Sequence, residues 1–160
     1  MCPEHPSQPP VAKGGSQVSR YKRPESVLVV VYTATGEVLV LRRGQPPDFW
    51  QSVTGSLHWE EADPLDAARR ELREETGLGD EVEVLSCGII NRFPIVPPWK
   101  QRYAPDAAEN LEHVFRVHLP GRRVVVLNPA EHSEYQWLTR AAAAAKVTSW
   151  TNRDAILQLP

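Results

Sequence analysis

The sequence has few cysteines and no excess of either charge, and these shortages exclude several classes of protein. Two cysteines among 160 residues form neither a disulfide framework nor a zinc site. A net charge of -2 gives no basic surface for nucleic acid, and no apolar run approaches the length of a membrane span. The chain also lacks a charged-then-apolar signal pattern, which predicts a reducing, cytoplasmic location. No feature of the sequence indicates an oligomeric state.

Composition divides the chain into a short tail and one larger segment. Residues 1–20 are rich in Pro, Ser, Gln and Gly, which predicts a disordered N-terminal tail. Residues 21–160 are predicted to form one domain, because a segment of this length can bury a sizeable core.

One acidic helix with well-marked ends is the strongest local signal. Asp63 followed by Pro64 predicts the N-cap and first helical residue, and Gly77 predicts the C-terminal stop. The helix is therefore expected over residues 64–76. Its apolar stripe, at helical spacing, is expected to consist of Leu65, Ala68, Leu72 and Thr76.

Three glutamates, Glu71, Glu74 and Glu75, lie three and four positions apart on the face beside that stripe. Like charges at this spacing destabilise a helix by roughly a few tenths of a kcal/mol per pair. A divalent cation would reverse the sign of this interaction, and carboxylate oxygens suit Mg²⁺ or Mn²⁺, which also bind substrate phosphates. The alternative is a solvated acidic face on which Arg70 and Glu74 form an ordinary surface pair.

The rest of the chain predicts more strand than helix. Strands are expected at residues 26–33, 37–41, 81–93, 111–119, 122–127 and 135–138, with a rigid loop at 94–98. Helices are expected at 141–145 and, capped by Thr148 or Ser149, through Leu157. The apolar run at 27–31 predicts a strand covered on both faces. The fold class is therefore α/β (α+β), with a mixed central sheet between helical layers in an α/β/α sandwich.

The glutamate spacing resembles the Nudix box, Gly-x5-Glu-x7-Arg-Glu-U-x-Glu-Glu-x-Gly-U, where U is bulky and apolar. Six fixed positions match by chance with odds on the order of 10⁻⁷ per start point. The chain departs from the box once, because eight residues instead of seven separate Glu61 from Arg70. We place the extra residue in the loop before the helix, since the rest of the box is undisturbed. The matching residues are Gly55, Glu61, Arg70, Glu71, Leu72, Glu74, Glu75, Gly77 and Leu78.

Segments outside the box resemble a branch of the Nudix hydrolases, the bacterial dihydroneopterin triphosphate diphosphatases of folate biosynthesis. This resemblance covers about residues 21–157 and departs at residues 97–99, Pro-Pro-Trp. The segments that carry it are residues 21–24, 48–56, 102–105, 131–132, 137–138 and 149–153, together with the alanine run at 141–145.

The resemblance implies Mg²⁺-dependent hydrolysis, with Mn²⁺ as the alternative ion, of dihydroneopterin triphosphate to the monophosphate and pyrophosphate. It implies that Glu71, Glu75 and Glu131 are metal ligands. It also implies that Glu74 is a further ligand or positions water, and that Arg70 orients the glutamates. The implied partner is therefore a small-molecule triphosphate, with neither nucleic acid nor a membrane involved.

Further residues are implied to contact the substrate. Lys22 and Arg43 would contact phosphate, and Thr54 and Ser149 would make polar contacts. The pterin side is assigned to Phe93, Pro94, Ile95 and Val96. By residue type alone, the two cations are ordinary surface charges, Thr54 is a turn residue and Ser149 is a helix N-cap.

Alternatives remain open for the general base and for the substrate. Glu74, Glu112 and Glu131 are candidate bases, and so is His113. A broader Nudix enzyme would act on deoxynucleoside triphosphates such as dATP or oxidised dGTP, because purines and pterins present similar flat rings. A non-catalytic Nudix-fold binding module is the third alternative, although it would not need three repelling carboxylates. His58 and His132 are expected to be surface histidines.

Overall fold

A mixed β-sheet lies at the centre of the computed structural model, which describes residues 20–160. Within these residues the sheet order is β3-β2-β1-β6-β5, while β4 also pairs with β1 and β7 with β2. The β1–β6 pair is parallel, and the other pairs are antiparallel. The strands are β1 (Glu25–Thr33), β2 (Glu37–Arg43), β3 (Trp50–Gln51), β4 (Val53–Ser56), β5 (Leu85–Pro94), β6 (Glu109–Leu119) and β7 (His132–Thr139).

Three α-helices and one short 3-10 helix accompany the sheet in the described residues. They are α1 (Pro64–Thr76), α2 (Arg140–Lys146), α3 (Trp150–Leu157) and the 3-10 helix Lys100–Arg102. The predicted bounds of α1 are confirmed: Asp63 accepts a hydrogen bond from the Leu65 amide. Gly77 ends the helix with a positive φ of 81°, a conformation that costs glycine little.

Alternate residues of β1 enter two separate hydrophobic cores, as expected for a strand covered on both faces. The core on one face includes Val27, Val29 and Val31 of β1 with Ala67, Ala68 and Leu72 of α1. The core on the other face includes Leu28 and Val30 of β1 with Ala143, Ala144, Ala155 and Ile156 of α2 and α3. The predicted α/β/α arrangement with a mixed sheet is thereby confirmed.

The predicted strand at residues 122–127 is wrong. Val126 donates its amide hydrogen to the Thr76 carbonyl oxygen (2.9 Å), so the segment satisfies the C-terminal end of α1 instead of pairing with a strand. Val125 is buried while Val124 and Val126 are exposed, and this alternation imitates a strand pattern. Strand β5 starts at Leu85, later than predicted, because residues 79–82 form a turn.

The predicted N-terminal tail lies outside the described residues except for Arg20, so the division of the chain near residue 21 stays a prediction. No helix within residues 20–160 is both long enough and apolar enough to cross a membrane.

Candidate active site

The structure brings two of the three helix glutamates together. Glu71 and Glu75 are only 8% and 2% exposed and lie on the side of α1 that packs against β4. The amide of Thr54 in β4 donates to Glu75 Oε1 (3.4 Å). The Glu74 side chain is about half exposed. The acidic face is therefore divided between a buried pair and an outer carboxylate.

Gly55 permits β4 to press its backbone against the first of these glutamates. A Cβ atom placed on Gly55 would lie 2.0 Å from both Cδ and Oε2 of Glu71, far inside van der Waals contact. Only glycine fits this approach while the Glu71 carboxylate keeps its position.

Burial raises the pKa of both buried carboxyls. Burial is the main cause for Glu71, and for Glu75 burial is reinforced by the charges of Glu71 and Glu131 and by a hydrogen bond with Glu71. A hydrogen bond between two carboxyls requires that they share a proton. At neutral pH, ionisation of both carboxyls would therefore place two adjacent negative charges in a buried site, which is unfavourable. A bound cation would offset this repulsion.

The donor set fits a hard divalent cation. In the described part of the chain, no group of three acidic, histidine or cysteine side chains is already arranged to hold a metal ion. However, Glu71 and Glu75 are adjacent, and the exposed Glu131 is near enough for its charge to act on Glu75. Carboxylate oxygens are the ligands that Mg²⁺ and Mn²⁺ prefer, so a cation at this pair would take the place of the shared proton.

Arg70 joins the helix to the loop before it. Its guanidinium donates to both carboxylate oxygens of Glu61 (2.9 Å each). It also donates to Glu71 Oε2 (2.9 Å), to Glu74 Oε1 (3.4 Å) and to the Ser56 carbonyl (3.1 Å). The extra residue before the helix therefore leaves Glu61 in contact with Arg70, and Arg70 holds Glu71 in one orientation.

A cavity of about 430 Å³ opens beside Gly55. All eight residues predicted to contact substrate line it, namely Lys22, Arg43, Thr54, Phe93, Pro94, Ile95, Val96 and Ser149. Ser149 also caps α3 by accepting from the Asn152 amide (3.3 Å), so both interpretations of this residue fit the structure.

Three basic side chains, those of Lys22, Arg43 and Arg102, line the cavity. Lys22 and Arg43 lie near Glu71 and Glu75. Arg102 is close to both Lys22 and Arg43, and its positive charge helps to lower the pKa of each. The amide of Lys22 donates to the Arg102 carbonyl (2.8 Å), and the Arg43 guanidinium lies 4.8 Å from the centre of the Trp99 ring, a cation–π distance. Sequence reasoning did not place Arg102 in this cluster, although its segment belongs to the resemblance.

Comparison with known proteins identifies the family of this chain. The model of the NUDIX domain matches residues 22–159. The chain belongs to the NUDIX family. It is 44% identical to the dihydroneopterin triphosphate diphosphatase of Escherichia coli K12 over 86% of this chain and 93% of that protein. The Haemophilus influenzae protein of the same name is 37% identical over 86% and 87%.

A solved structure agrees with this assignment. The E. coli dihydroneopterin triphosphate pyrophosphohydrolase matches this Nudix chain with a TM-score of 0.81 and 43% identity, over 87% of this chain and 96% of that chain. The resemblance and the Nudix-type fold predicted from the sequence are confirmed. NUDIX hydrolases use divalent metals, which agrees with the carboxylate pair on α1.

The expectation that His132 is a surface histidine is wrong. It is 1% exposed, because it begins β7 opposite Arg43 of β2. Its Nε2 lies 3.1 Å from Nε2 of Gln51, a residue that lines the cavity. Burial, assisted by the charge of Arg43, lowers the pKa of His132 to about 4, so the ring is neutral at physiological pH. His113 contacts Glu25 (2.7 Å), away from the cavity lining.

We expect phosphate binding by this Nudix site to weaken above pH 8. Burial, followed by the charges of Arg102 and Arg43, lowers the pKa of Lys22 from 10.5 to about 8. The predicted phosphate contact of Lys22 would require its ammonium form, so this contact would be lost as pH rises through the lowered pKa. A nearby metal cation would lower the pKa further. The kcat/KM profile should therefore fall in alkaline solution by up to about tenfold per pH unit.

The matched variant for this profile is Lys22→Arg, which keeps its charge over the whole range. It should remove the fall near pH 8 even where its absolute rate is lower. An unchanged profile in Lys22→Arg would assign the titration to another group.

Proposed function

We propose that this chain is a metal-dependent pyrophosphohydrolase that converts dihydroneopterin triphosphate to dihydroneopterin monophosphate and pyrophosphate. The observation that carries the proposal is a cavity whose lining combines two unlike kinds of side chain. Lys22 and Arg43 lie close enough to Glu71 and Glu75 to interact with their charges, and Arg102 acts on both cations. The same cavity is lined by apolar side chains that include Phe93 and Ile95. A triphosphate attached to a flat ring has this same division. The names and close similarity of the E. coli and H. influenzae relatives support the choice of ring.

The chain's own residues bind and orient the substrate. Lys22, Arg43 and Arg102 neutralise phosphate oxygens, and Arg70 keeps Glu71 aligned. We assign the metal site to Glu71, Glu75 and Glu131, and we propose Mg²⁺, with Mn²⁺ as the alternative. When bound, the cation supplies positive charge to the phosphate chain and to the attacking water.

The exposed Glu74 is assigned to positioning the attacking water from the solvent side of the carboxylate pair. Its partner in the described structure is Arg70, at 3.4 Å, and a bond of that length is easily exchanged for one to water. We also propose that the partner of this chain is a small molecule. We further propose a cytoplasmic location, because a chain with two cysteines does not depend on disulfides, which are rare in that reducing compartment.

Glu131→Ala is expected to lower kcat more than Glu112→Ala. The charge of Glu131 acts on Glu75, whereas Glu112 is buried at a different part of the cavity with Asn91 and Thr151. The measurement is kcat at saturating dihydroneopterin triphosphate and Mg²⁺. The reverse order would transfer the ligand or base role to Glu112.

Hydrolysis of deoxynucleoside triphosphates such as dATP or oxidised dGTP is the second candidate function, because a purine is as flat as a pterin and also suits the apolar side chains that line the cavity. The deciding experiment is steady-state hydrolysis with Mg²⁺ of dihydroneopterin triphosphate, dATP, dGTP and ADP-ribose, in which pyrophosphate and phosphate are measured separately. A much higher kcat/KM for the pterin, with pyrophosphate released, supports the proposal. Similar rates for all triphosphates would favour a nucleotide-directed enzyme, and no turnover would favour a binding module.

A further inference from the structure

Two buried polar side chains lie side by side in the cavity wall formed by β6. Asn110 and Glu112 are 3% and 5% exposed, and both line the cavity. Residues two apart in a strand point to the same face, and the next residue on this face, Val114, belongs to the hydrophobic core beneath α2 and α3. This face of β6 is therefore apolar at Val114, where it contributes to the core, and polar at Asn110 and Glu112, where it borders the cavity.

Asn110 is not fully paired. Its Nδ2 donates to Ser26 Oγ (2.8 Å), but its Oδ1 has no hydrogen-bond partner among residues 20–160. If the amide were turned over, the oxygen would take the Ser26 bond and the nitrogen would be left over. In either orientation one buried polar atom lacks a partner from the described chain, and such atoms cost stability.

Glu112 has spare acceptor capacity. Its Oε1 accepts from Asn91 Nδ2 (3.3 Å), and the Thr151 hydroxyl is close enough to the carboxyl to oppose the rise of its pKa. Both partners are neutral, and burial raises its pKa. A carboxylate has about four acceptor positions, so two positions remain for donors that come from the cavity. A buried carboxylate with only neutral partners is costly unless a ligand completes its hydrogen bonds.

The lining of the cavity therefore accepts two kinds of group. Lys22 and Arg43 attract anions, while Glu112 attracts N–H donors. The apolar side chains of Phe93 and Ile95 line the same cavity and suit the faces of a flat ring.

We propose that Glu112, assisted by Asn110, binds the edge of a 2-amino-4-oxopyrimidine ring through its ring N–H and its adjacent amino group. Both pterins and guanines present this edge. The inference rests on the proposed function in that it assigns the ring of the same substrate, and it makes Glu112 a specificity residue instead of the general base. The two N–H groups donate to the two carboxylate oxygens, while the carbonyl or amino group beside them pairs with the amide of Asn110.

The test compares the binding of dGTP and dITP, which differ only in the 2-amino group. Isothermal titration calorimetry in the presence of EDTA measures affinity without metal-dependent turnover. Wild type is expected to prefer dGTP by roughly tenfold or more, the usual contribution of a hydrogen bond to a charged group. In Glu112→Gln the preference should fall to about one, since the glutamine amide no longer offers two acceptors. The ratio compares two ligands on one protein, so a general loss of fold cannot produce this result.

Glu109→Gln is the matched control. Glu109 lies on the same strand but is exposed, and it pairs with Arg92 (3.8 Å) outside the cavity. It should retain the wild-type preference. If wild type fails to bind dGTP, or binds both nucleotides equally, the inference is overturned. The same conclusion follows if Glu112→Gln retains the preference.

The outcome is separable from that of the proposed function. Hydrolysis of dihydroneopterin triphosphate together with a dGTP preference independent of Glu112 would leave the function standing and refute the ring contact. A Glu112-dependent preference without pterin hydrolysis would leave the ring contact standing, with guanine as the ring.

Discussion

Glu75→Gln is expected to abolish turnover while leaving the fold intact, with kcat reduced by roughly 10³-fold or more. Glu75 is the most buried carboxyl of the acidic helix and lies against the Thr54 amide and Glu71. Glutamine keeps its size but removes the charge that a metal ion requires. Steady-state hydrolysis at saturating Mg²⁺ measures the effect, and near-normal activity would refute the metal assignment.

The same substitution should stabilise the protein in the absence of metal. Burial and the neighbouring charges raise the folded-state pKa of Glu75 above its ordinary value of 4.5. A raised pKa means that the protonated form contributes stability below pH 4.5, and this stability is lost as pH rises through the folded-state value. Glutamine at this position does not ionise, so the variant does not lose this stability as pH rises. In EDTA, the Tm of Glu75→Gln should therefore exceed that of wild type at neutral pH, and the difference should close below pH 4.5.

Addition of Mg²⁺ should reverse the order of the two Tm values, so that wild type becomes more stable than Glu75→Gln. A ligand that binds only the folded state raises Tm in proportion to its affinity, so Mg²⁺ should raise the Tm of wild type and have little effect on Glu75→Gln. The control is Glu60→Gln, at an exposed glutamate in the loop before α1, which should respond to Mg²⁺ like wild type. An equal response in Glu75→Gln would place the metal elsewhere.

Features determined by short stretches of chain were predictable from the sequence. The ends of α1 depend on Asp63, Pro64 and Gly77 within one helix, and their chemistry is local. The exposure of β1 to two cores follows from its unbroken apolar run. For the same reason, the register of Glu71 and Glu75 on α1 could be predicted before any tertiary contact was known.

Features that depend on distant segments were not predictable in this way. Arg102 joins Lys22 only because a loop after β5 returns to the start of the domain. His132 is buried because β7 pairs with β2. The error at residues 122–127 has the same origin: the Thr76 carbonyl at the end of α1 competes for an amide that local alternation assigns to a strand. None of these three causes appears in the neighbouring sequence.

Gly55→Ala is expected to disable the site with little loss of stability. The new Cβ would overlap the Glu71 carboxylate at 2.0 Å, and the flexible end of that side chain can move more easily than two packed backbones. Displacement separates Glu71 from Arg70, which now holds it at 2.9 Å, and from Glu75. Misplacement of a catalytic group by about 1 Å can cost on the order of 10²-fold in rate, so we expect kcat to fall at least that far.

The stability change distinguishes this effect from unfolding. A cost of about 1 kcal/mol would lower the Tm of a protein of this size by roughly 2–4 °C, and Gly55→Ala should remain within that range. Gly121→Ala is the control, since a Cβ there meets no atom of the described chain within 4 Å. Full activity in Gly55→Ala would mean that Glu71 works from a displaced position. The close approach of β4 would then be a packing feature, and the box glycine would not be needed to hold the carboxylate pair in place.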